Sequence, residues 1–462
     1  MNIIEAMQDP ELFGKQFAGD SWAAWRTLLA GFYGLTGSVD PELWGSLTGR
    51  AETPTGPHNE LWLPVGRRGG KSNVAALLAV YEAVFNDHKA KLSPGEVATV
   101  MIIAADRKQA RTVMRYIRGL FAASPMLERM VFRDRDESIE LANRCVIEVQ
   151  TATHRGTRGY TVAAAICDEI AFWLSEGANP DREIINALRP SLATLGGKLI
   201  ALSSPYARRG VLWDAYRRHY AQDSRVLVAQ APTLAMNPTL PRRVVDDAYK
   251  DDPIAAAAEY GALFRTDVES YISVETLDAC TRPSQLEIMP DSRSNYFAFV
   301  DPSGGSADAM TLCISHLDGD TVVIDCTRSV KPPFSPESVV EDFCEVLKPY
   351  RIRSITGDAY AGKWPREQFK KRGIDYRRSE KNKSEIYRDF LPLMNAHRVE
   401  LPPNDQLARE LIGLERRTAR GGRDSIDHAP GAHDDLANAV AGAAVFTTKP
   451  IMAMTIKMGM AY

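Results

Sequence analysis

The hydrophobic and polar positions between residues 60 and 205 switch between two spacings. Continuous apolar runs at 97–105, 163–167 and 198–203 are typical of buried parallel strands, and a shorter run at 61–65 precedes them. Between these runs, Ser72 to Phe85 carries apolar residues at helical spacing. Strands that alternate with helices predict an α/β fold around a parallel sheet.

A second α/β unit with a different pattern begins at the apolar run 296–301. Two further runs, 310–315 and 321–325, flank Asp318-Gly319-Asp320, which is a typical hairpin turn. These three strands predict an antiparallel meander. A later apolar run at 352–356 adds a strand, so the second sheet is predicted to be mixed.

The segment between the two units has another character. Residues 232–290 are rich in proline and include a small-residue stretch, Ile254 to Phe264, that predicts a helix. We interpret this segment as a lid or linker. The predicted domains are 1–231 with an N-terminal helical extension over 1–55, 232–290 as the lid, 291–448 as the second α/β domain, and 449–462 as a tail.

Composition narrows the class of protein. A chain of 462 residues with 45% hydrophobic and 25% charged residues is typical of a soluble globular protein of several domains. The six cysteines are scattered without a CxxC pair, which argues against a zinc site and a disulfide framework. The start of the chain has no signal-peptide pattern, and no apolar run is long enough for a transmembrane helix. We therefore expect a cytoplasmic protein without a membrane partner.

One basic cluster stands out in a chain whose net charge is −3. Between Lys363 and Arg388, ten basic residues face four acidic ones. The cluster is either a solvated helical face or a surface that binds nucleic-acid phosphates. Its position directly after Asp358 gives both interpretations similar weight. The basic residues are Lys363, Arg366, Lys370, Lys371, Arg372, Arg377, Arg378, Lys381, Lys383 and Arg388.

A phosphate-binding loop is predicted between the first strand and the first long helix. Such a loop needs small residues whose N–H groups surround the phosphates, a lysine, and a hydroxyl for the metal. Gly69, Gly70, Lys71 and Ser72 supply these groups, and Arg67 and Arg68 add positive charge. The first glycine, Gly66, comes one place later than the strict GxxxxGK[ST] pattern requires. The alternative is a basic turn that caps a helix.

Two acids follow a later apolar strand. Asp168 is predicted to hold the metal of a bound nucleotide, and Glu169 to orient and deprotonate the attacking water. Other residues have less specific roles in this prediction. Ser203 and Ser204 end the next strand as candidate sensors of the γ-phosphate, or as a simple turn. Arg155 and Arg158 are candidate arginine fingers, or part of a solvated or DNA-contacting loop.

Widely spaced aspartates in the second unit predict another site. Asp301 and Asp358 end strands, and Asp434 begins an Ala-rich helix that is predicted to extend to Phe446. Acids brought together in this way hold the two metal ions of phosphodiester cleavage, although each alone is an ordinary turn or N-cap residue. Asp308 and Asp435 are alternative or supporting ligands, and His433 is a ligand, a general base or a cap.

These motifs together resemble the large terminase subunit of tailed bacteriophages, over residues 55 to 446. They are Gly-Arg-Arg-Gly-Gly-Lys-Ser, Ile-Cys-Asp-Glu, Ser-Ser-Pro, Val-Asp-Pro-Ser-Gly-Gly, Gly-Asp and His-Asp-Asp-Leu. The resemblance implies an ASCE-type P-loop ATPase domain, a small lid and an RNase H-like nuclease domain. It implies that Lys71 and Ser72 bind ATP and Mg²⁺, that Arg67 holds the arginine place of the loop, that Asp168 supports the metal and that Glu169 is catalytic.

The same resemblance implies the second site and the DNA contacts. Asp301, Asp358 and Asp434 would bind Mg²⁺, with Mn²⁺ as an alternative, and Asp434 is preferred to Asp435. The Arg- and Gly-rich segment from Arg416 to Ala432, interpreted as a loop, would contact DNA or limit access to the acids.

The implied function is a DNA-packaging motor. ATP hydrolysis would drive double-stranded viral DNA into a procapsid, and the nuclease would cut the DNA concatemer. The implied partners are a small terminase subunit, the portal protein and further copies of the chain in a ring, expected to be a pentamer, with a monomer as the alternative in solution. The implied location is the host cytoplasm. The rival interpretations are a helicase-nuclease of repair or host defence and a non-enzymatic DNA-binding assembly protein.

Overall fold

The chain forms two compact units, Met1–Asp267 and Val268–Tyr462, which we call unit 1 and unit 2. A computed structural model describes residues 1–152, 159–173, 180–306, 308–358, 364–418, 424–429 and 432–448. The boundary between the units falls inside the segment 232–290, so a separate lid in that segment stays a prediction. Among the described residues, no helix is both long and apolar enough to cross a membrane.

An eight-stranded sheet forms the centre of unit 1. Its strands are β1 (Glu60–Pro64), β2 (Ala98–Ala104), β3 (Val131–Asp134), β4 (Ser138–Leu141), β5 (Cys145–Thr151), β6 (Thr161–Asp168), β7 (Lys198–Ser203) and β8 (Val226–Val228). Their order is β3-β4-β5-β2-β6-β7-β1-β8, and every pair from β5 to β8 is parallel. All residues of β2 are buried, as expected for a parallel strand covered on both faces.

Helices cover both faces of this sheet. They are α1 (Ile3–Gln8), α2 (Gly14–Phe17), α3 (Ala23–Phe32), α4 (Pro41–Thr48), α5 (Lys71–Val84), α6 (Arg107–Ala122), α7 (Pro125–Glu128), α8 (Pro180–Ala193), α9 (Gly210–His219), α10 (Thr233–Met236), α11 (Arg242–Asp251) and α12 (Pro253–Glu259). Helices α1 to α6 pack in one core with Leu61 and Leu63 of β1, whereas α8 and α9 pack in another with Trp62. Successive side chains of β1 therefore point to opposite faces of the sheet, Leu61 and Leu63 toward the first core and Trp62 toward the second.

The strand register brings distant residues to one edge of the sheet. Pro64 at the end of β1 is in register with Ser203, and Asp168 at the end of β6 is in register with Leu202. In an open parallel sheet, ligands bind at the carboxyl ends of the strands. The loop before α5, the acids after β6 and the serines after β7 are therefore neighbours.

Unit 2 contains a six-stranded and a three-stranded sheet. Its strands are β9 (Val268–Ser270), β10 (Tyr296–Asp301), β11 (Met310–Asp318), β12 (Thr321–Val330), β13 (Ser354–Gly357), β14 (Asp375–Arg378), β15 (Val399–Glu400), β16 (Leu414–Thr418) and β17 (Asp424–His428). The orders are β14-β13-β10-β11-β12-β15 and β17-β16-β9. Strands β10 to β12 form an antiparallel meander, and β13 and β14 continue parallel to β10. This is a mixed sheet, as the sequence predicts.

Helices pack on both faces of the larger sheet. They are α13 (Val274–Cys280), α14 (Pro336–Leu347), α15 (Trp364–Lys371), α16 (Lys383–Asn395), α17 (Asp405–Gly413) and α18 (Asp435–Thr447). Helix α18 is almost wholly buried and packs with α16 against Phe299 of β10. A Cβ at Gly442 would lie 2.5 Å from the Phe299 ring, so a glycine is required for this close approach.

Two local predictions are wrong. The helix predicted from Ile254 to Phe264 ends at Glu259, and the chain then turns through Ala262, whose φ is 57°. The predicted loop from Arg416 to Ala432 contains most of strand β16 and all of strand β17. Strand β16 has β9 on its other side, a partner distant in sequence that composition does not indicate.

Candidate functional site

The predicted phosphate-binding loop, residues 65–70, connects β1 to α5, and we keep that name for these residues. Gly70 caps α5 with a φ of 92°, which a residue with a side chain rarely adopts. Val65 is fully buried and continues the sheet by a bridge to Ala231. A Cβ at Gly66 would lie 2.3 Å from the Thr233 hydroxyl. The first glycine therefore stands at position 66 because the chain passes Thr233 there, while position 65 belongs to the core.

Lys71 is the first residue of α5 and is buried inside this loop. Its Nζ donates to the carbonyls of Val65 at 3.0 Å and Gly66 at 3.3 Å, and to the Ser204 hydroxyl at 2.9 Å. A carboxylate oxygen of Glu169 lies 3.5 Å away. The lysine thus joins the loop, the end of β6 and the end of β7 in one network.

The acids after β6 differ in their surroundings. Asp168 is buried, and its Oδ1 has no hydrogen-bond partner among the described residues. Burial, reinforced by the neighbouring Glu169 charge and opposed by Lys71, raises the pKa of Asp168 to about 7. Glu169 has a φ of 50°, and its Oε2 accepts from the Ser203 hydroxyl and the Ser204 N–H, both at 3.0 Å. A cation is therefore favourable beside Asp168, while Glu169 is held in one orientation.

The other residues predicted for the first site are more exposed. Ser72, the second residue of α5, is half-buried. Arg67 makes an ion pair with Glu259 at 3.2 Å, and Arg68 is exposed with a φ of 64°. The candidate arginine fingers, Arg155 and Arg158, lie outside the described residues.

Two of the predicted acids in unit 2 are brought together by a third residue. Strands β10 and β13 are parallel, and Val300 lies opposite Gly357. Asp301 and Asp358, which directly follow these two residues, therefore lie at the same end of the sheet. The Asn438 amide donates to Asp301 at 2.8 Å and to Asp358 at 3.4 Å. Burial, together with the charges of Asp358, Asp435 and Asp434, raises the pKa of Asp301 well above its usual range. This concentration of negative charge favours a bound cation.

Asp434 lies at the N-terminus of α18 and is buried. Both of its carboxylate oxygens contact Lys383 Nζ, at 3.1 and 3.2 Å, and one also accepts from the Tyr387 hydroxyl at 2.9 Å. Burial opposes the charge of Lys383, but Asp434 and Asp427 raise its pKa. Asp434 is therefore held by a fixed set of donors from α16.

The acids that were predicted to support this site, Asp435 and Asp308, lie near Asp434. Asp435 is half-buried, and its carboxylate accepts from the Ala309 N–H at 3.1 Å. Burial, then the charges of Asp308 and Asp434, raise the pKa of Asp435. His433 is exposed and lies 3.5 Å from the Asp308 carboxylate, so it pairs with that acid rather than capping α18.

A second possible ligand group shares Asp434. Asp427, His428 and Asp434 offer ligand atoms within 4.8 Å of one another. Lys383 Nζ, however, lies 2.6 Å from Asp427 and already supplies positive charge at this point. We assign no separate metal to this group.

Three residues of the second site were missed by sequence reasoning: Asn438, Lys383 and Tyr387. Asn438 is a buried amide in an otherwise apolar helix, four residues after Asp434, and this spacing on one helical face was the available signal. Lys383 and Tyr387 are also four residues apart, but their contact with Asp434 depends on how α16 packs against α18.

The ion pair of Lys383 gives a stability prediction. Lys383→Met should lower the free energy of unfolding by about 2 kcal/mol, because it leaves the buried Asp434 carboxylate without its counter-charge. The measurement is denaturant unfolding of the full chain. Lys381→Met, which removes an exposed ion pair with Asp389, is the control and should have almost no effect. Adding Asp434→Asn to Lys383→Met should restore most of the loss; an equally unstable double variant would contradict this account.

The residues of both sites fit divalent cations by their own chemistry. In unit 1 the unpartnered Oδ1 of Asp168 is a buried acceptor without a donor among the described residues. In unit 2, Asp358, Asp435 and Asp434 lie close enough to Asp301 to raise the pKa of Asp301. The Asn438 Oδ1 is likewise buried without a partner in the described part of the chain. Oxygen ligands of this kind suit Mg²⁺.

Comparison with known proteins gives structural likeness only. The sequence matches no protein-family model and no curated protein. The chain is similar to the solved large terminase of bacteriophage HK97, with 17% identity and a TM-score of 0.37, covering 84% of this chain and 91% of that one. It is also similar to the large terminase of a thermophilic bacteriophage, solved in complex with ADP, with 11% identity and a TM-score of 0.37, covering 87% and 95%.

A third structure matches a smaller share of the chain. It is the large terminase nuclease of thermophilic phage G20c with bound magnesium, with 19% identity and a TM-score of 0.33, covering 38% of this chain and 95% of that one. The solved structures are of the kind that the sequence motifs resemble. Identities and TM-scores as low as these assign no function to this chain.

Proposed function

We propose that this chain is a terminase large subunit, which uses ATP to move double-stranded viral DNA into a procapsid and cuts it with a metal-dependent nuclease. The observation that carries the proposal is that one chain holds two separate constellations. Unit 1 joins Lys71, Glu169 and Ser204 beside a buried Asp168. Unit 2 joins Asp301 and Asp358 through Asn438.

The first constellation is suited to ATP hydrolysis. The N–H groups of the loop and Lys71 would bind the phosphates, after Lys71 exchanges its loop carbonyls for phosphate oxygens. Ser72 and Asp168 would hold Mg²⁺, which neutralises phosphate charge. Glu169 would accept the proton of the attacking water, and Ser203 and Ser204 keep its carboxylate oriented for that step.

The second constellation is suited to phosphodiester cleavage. Asp301 and Asp358 with the acid pair Asp434-Asp435 would hold Mg²⁺ or Mn²⁺, which activates water and stabilises the leaving oxygen. Asn438 orients Asp301 and Asp358. Lys383 and Tyr387 fix Asp434, so the third acid is presented in one orientation.

The partners follow from this function and are part of the proposal. They are double-stranded DNA, a small terminase subunit that selects it, the portal protein of the procapsid, and further copies of this chain in a ring. The work would take place in the infected host cell. Arg155 or Arg158 of a neighbouring copy would complete an ATP site, since an arginine supplied in trans stabilises phosphoryl transfer.

The DNA contact gives a prediction at the end of β14. Arg378 is exposed and in register with Gly357, directly before Asp358, so it lies beside the acids. Arg378→Ala should weaken DNA binding severalfold and reduce the slope of log affinity against log salt by about 0.9, the loss of one phosphate contact. Fluorescence anisotropy of labelled duplex DNA at several salt concentrations measures both quantities.

The matched control for this prediction is Arg353→Ala. Arg353 is also exposed but precedes the start of β13, at the opposite edge of the same sheet. It should leave affinity and salt slope unchanged. If both variants lost the same DNA affinity, the position of Arg378 beside the acids would not matter. Positive charge anywhere on this surface would then explain the binding.

The proposed function is tested on one preparation of the full chain. Two activities are expected: hydrolysis of ATP that increases with double-stranded DNA, and nicking of supercoiled plasmid that requires Mg²⁺ or Mn²⁺ and stops with EDTA. A folded wild-type protein that shows neither activity would contradict the proposal and favour a non-enzymatic assembly protein.

A further inference from the structure

Three successive carbonyls of the phosphate-binding loop each accept a hydrogen bond from a side chain distant in sequence. The Thr233 hydroxyl donates to the carbonyl of Arg67 at 2.8 Å, and the Asn237 amide donates to that of Arg68 at 2.9 Å. The Trp25 indole donates to the carbonyl of Gly69 at 2.8 Å. Two separate segments, α3 and the chain around α10, therefore donate hydrogen bonds to the carbonyls of one short loop.

These bonds also set the direction of the loop's N–H groups. In a planar trans peptide, the carbonyl of one residue and the N–H of the next point in opposite directions. Fixing the Arg67 and Gly69 carbonyls outward thus turns the N–H groups of Arg68 and Gly70 the other way. Within the described part of the chain neither N–H donates a hydrogen bond, whereas the Gly69 N–H closes the turn to Gly66 at 3.1 Å.

Two of the three donors are fully buried. Trp25 and Thr233 have no exposed surface, and Asn237 is half-buried at the end of α10. A Cβ at Gly70 would lie 3.2 Å from the Trp25 Nε1. Side chains so closely packed cannot rotate away without moving the helices that carry them.

We propose that Trp25 and Thr233 are positioning residues for phosphate binding, which keep the N–H groups of Gly70 and Arg68 turned toward the phosphates of a nucleoside di- or triphosphate, while Asn237 holds the Arg68 carbonyl within the turn. They touch the loop and not the ligand. The proposal rests on the proposed ATP site. It adds that nucleotide affinity depends on α3 in the N-terminal extension and on α10 in the segment 232–290.

The test compares nucleotide affinity with stability in variants that each lose one donor. Trp25→Phe and Thr233→Val should each weaken ADP binding, measured by isothermal titration calorimetry on the full chain, about five- to tenfold. Thr233→Ser keeps the hydroxyl and should bind ADP as the wild type does.

Matched controls separate positioning from ordinary packing. Trp44→Phe removes a buried indole donor to the carbonyl of Glu52, and Thr48→Val removes a buried hydroxyl donor to that of Trp44. Both lie outside the loop. They should lower the thermal midpoint as the test variants do, yet leave ADP affinity within about twofold, because no loop carbonyl is released.

Inorganic tripolyphosphate shows whether the loss of ADP affinity arises at the phosphates or at the nucleoside. As a competitor of ADP it should lose affinity in Trp25→Phe and Thr233→Val by the same factor, since only the phosphate end is affected. ADP affinity equal to that of the controls, or a loss for ADP without one for tripolyphosphate, would overturn the proposal. Failure of the ATP site itself gives a different result, because then wild type and Lys71→Ala would bind ADP equally poorly.

Discussion

Glu169→Gln is expected to lower the rate of ATP hydrolysis at least about a hundredfold while ATP binding stays close to that of the wild type. Glutamine retains an oxygen that accepts from the Ser203 hydroxyl and the Ser204 N–H, so the loop keeps its shape. It cannot accept the proton of the attacking water. The measurement is phosphate release at saturating ATP and Mg²⁺, with affinity determined separately by calorimetry.

The control for this variant is Glu60→Gln. Glu60 begins β1, whose other end leads into the phosphate-binding loop, and it pairs with Arg189 away from the loop. The same chemical change at the opposite edge of the same sheet should leave hydrolysis unchanged. Hydrolysis by Glu169→Gln at the wild-type rate would remove Glu169 from the catalytic role and contradict the proposed assignment of the base.

Asp301→Asn is expected to lower plasmid cleavage about a thousandfold, the equivalent of roughly 4 kcal/mol of lost metal stabilisation in the transition state. Asp301 lies at the centre of the cluster, where Asp358, Asp435 and Asp434 all act on its charge. An amide there is neutral and a weaker ligand for a divalent cation. The initial rate of supercoiled plasmid nicking, with Mg²⁺ and with Mn²⁺, is the quantity to measure.

Asp318→Asn is the matched control for the nuclease. Asp318 is exposed at the end of β11, beyond His316, which pairs with Tyr296 at the start of β10. Asp318 therefore lies on the neighbouring strand at the end of the sheet far from Asp301, and the substitution should not affect cleavage. If Asp301→Asn still cut plasmid in a metal-dependent way, the site would have to be sought elsewhere in the chain.

The sequence predicted those parts of the fold in which local pattern and tertiary structure agree. The apolar run at 198–203 is the strand Lys198–Ser203, and the run at 296–301 is the strand Tyr296–Asp301. Buried strands leave little choice of residue type, so their signal is strong. The helix predicted from Ile254 ends at Glu259. The carbonyls of Glu259 and Tyr260 accept there from the N–H groups of Arg67 and Thr233, partners that the small residues do not indicate.

The candidate sites were only partly predictable. Acids that end strands could be placed, because the carboxyl ends of neighbouring strands meet at one edge. Lys383 and Trp25 could not, since their partners, Asp434 and the Gly69 carbonyl, are separated from them by 51 and 44 residues. The position of the first glycine, one place later than the strict pattern, could not be explained from the sequence either. The close approach of Gly66 to Thr233 explains it.

The most direct test of a DNA-moving motor is displacement of a third strand from double-stranded DNA by the Asp301→Asn variant, which should no longer cut. The account predicts displacement that requires ATP, is absent when Glu169→Gln is added, and occurs without separation of the two duplex strands. ATP hydrolysis without displacement would contradict the motor. Separation of the duplex strands would instead identify a helicase-nuclease.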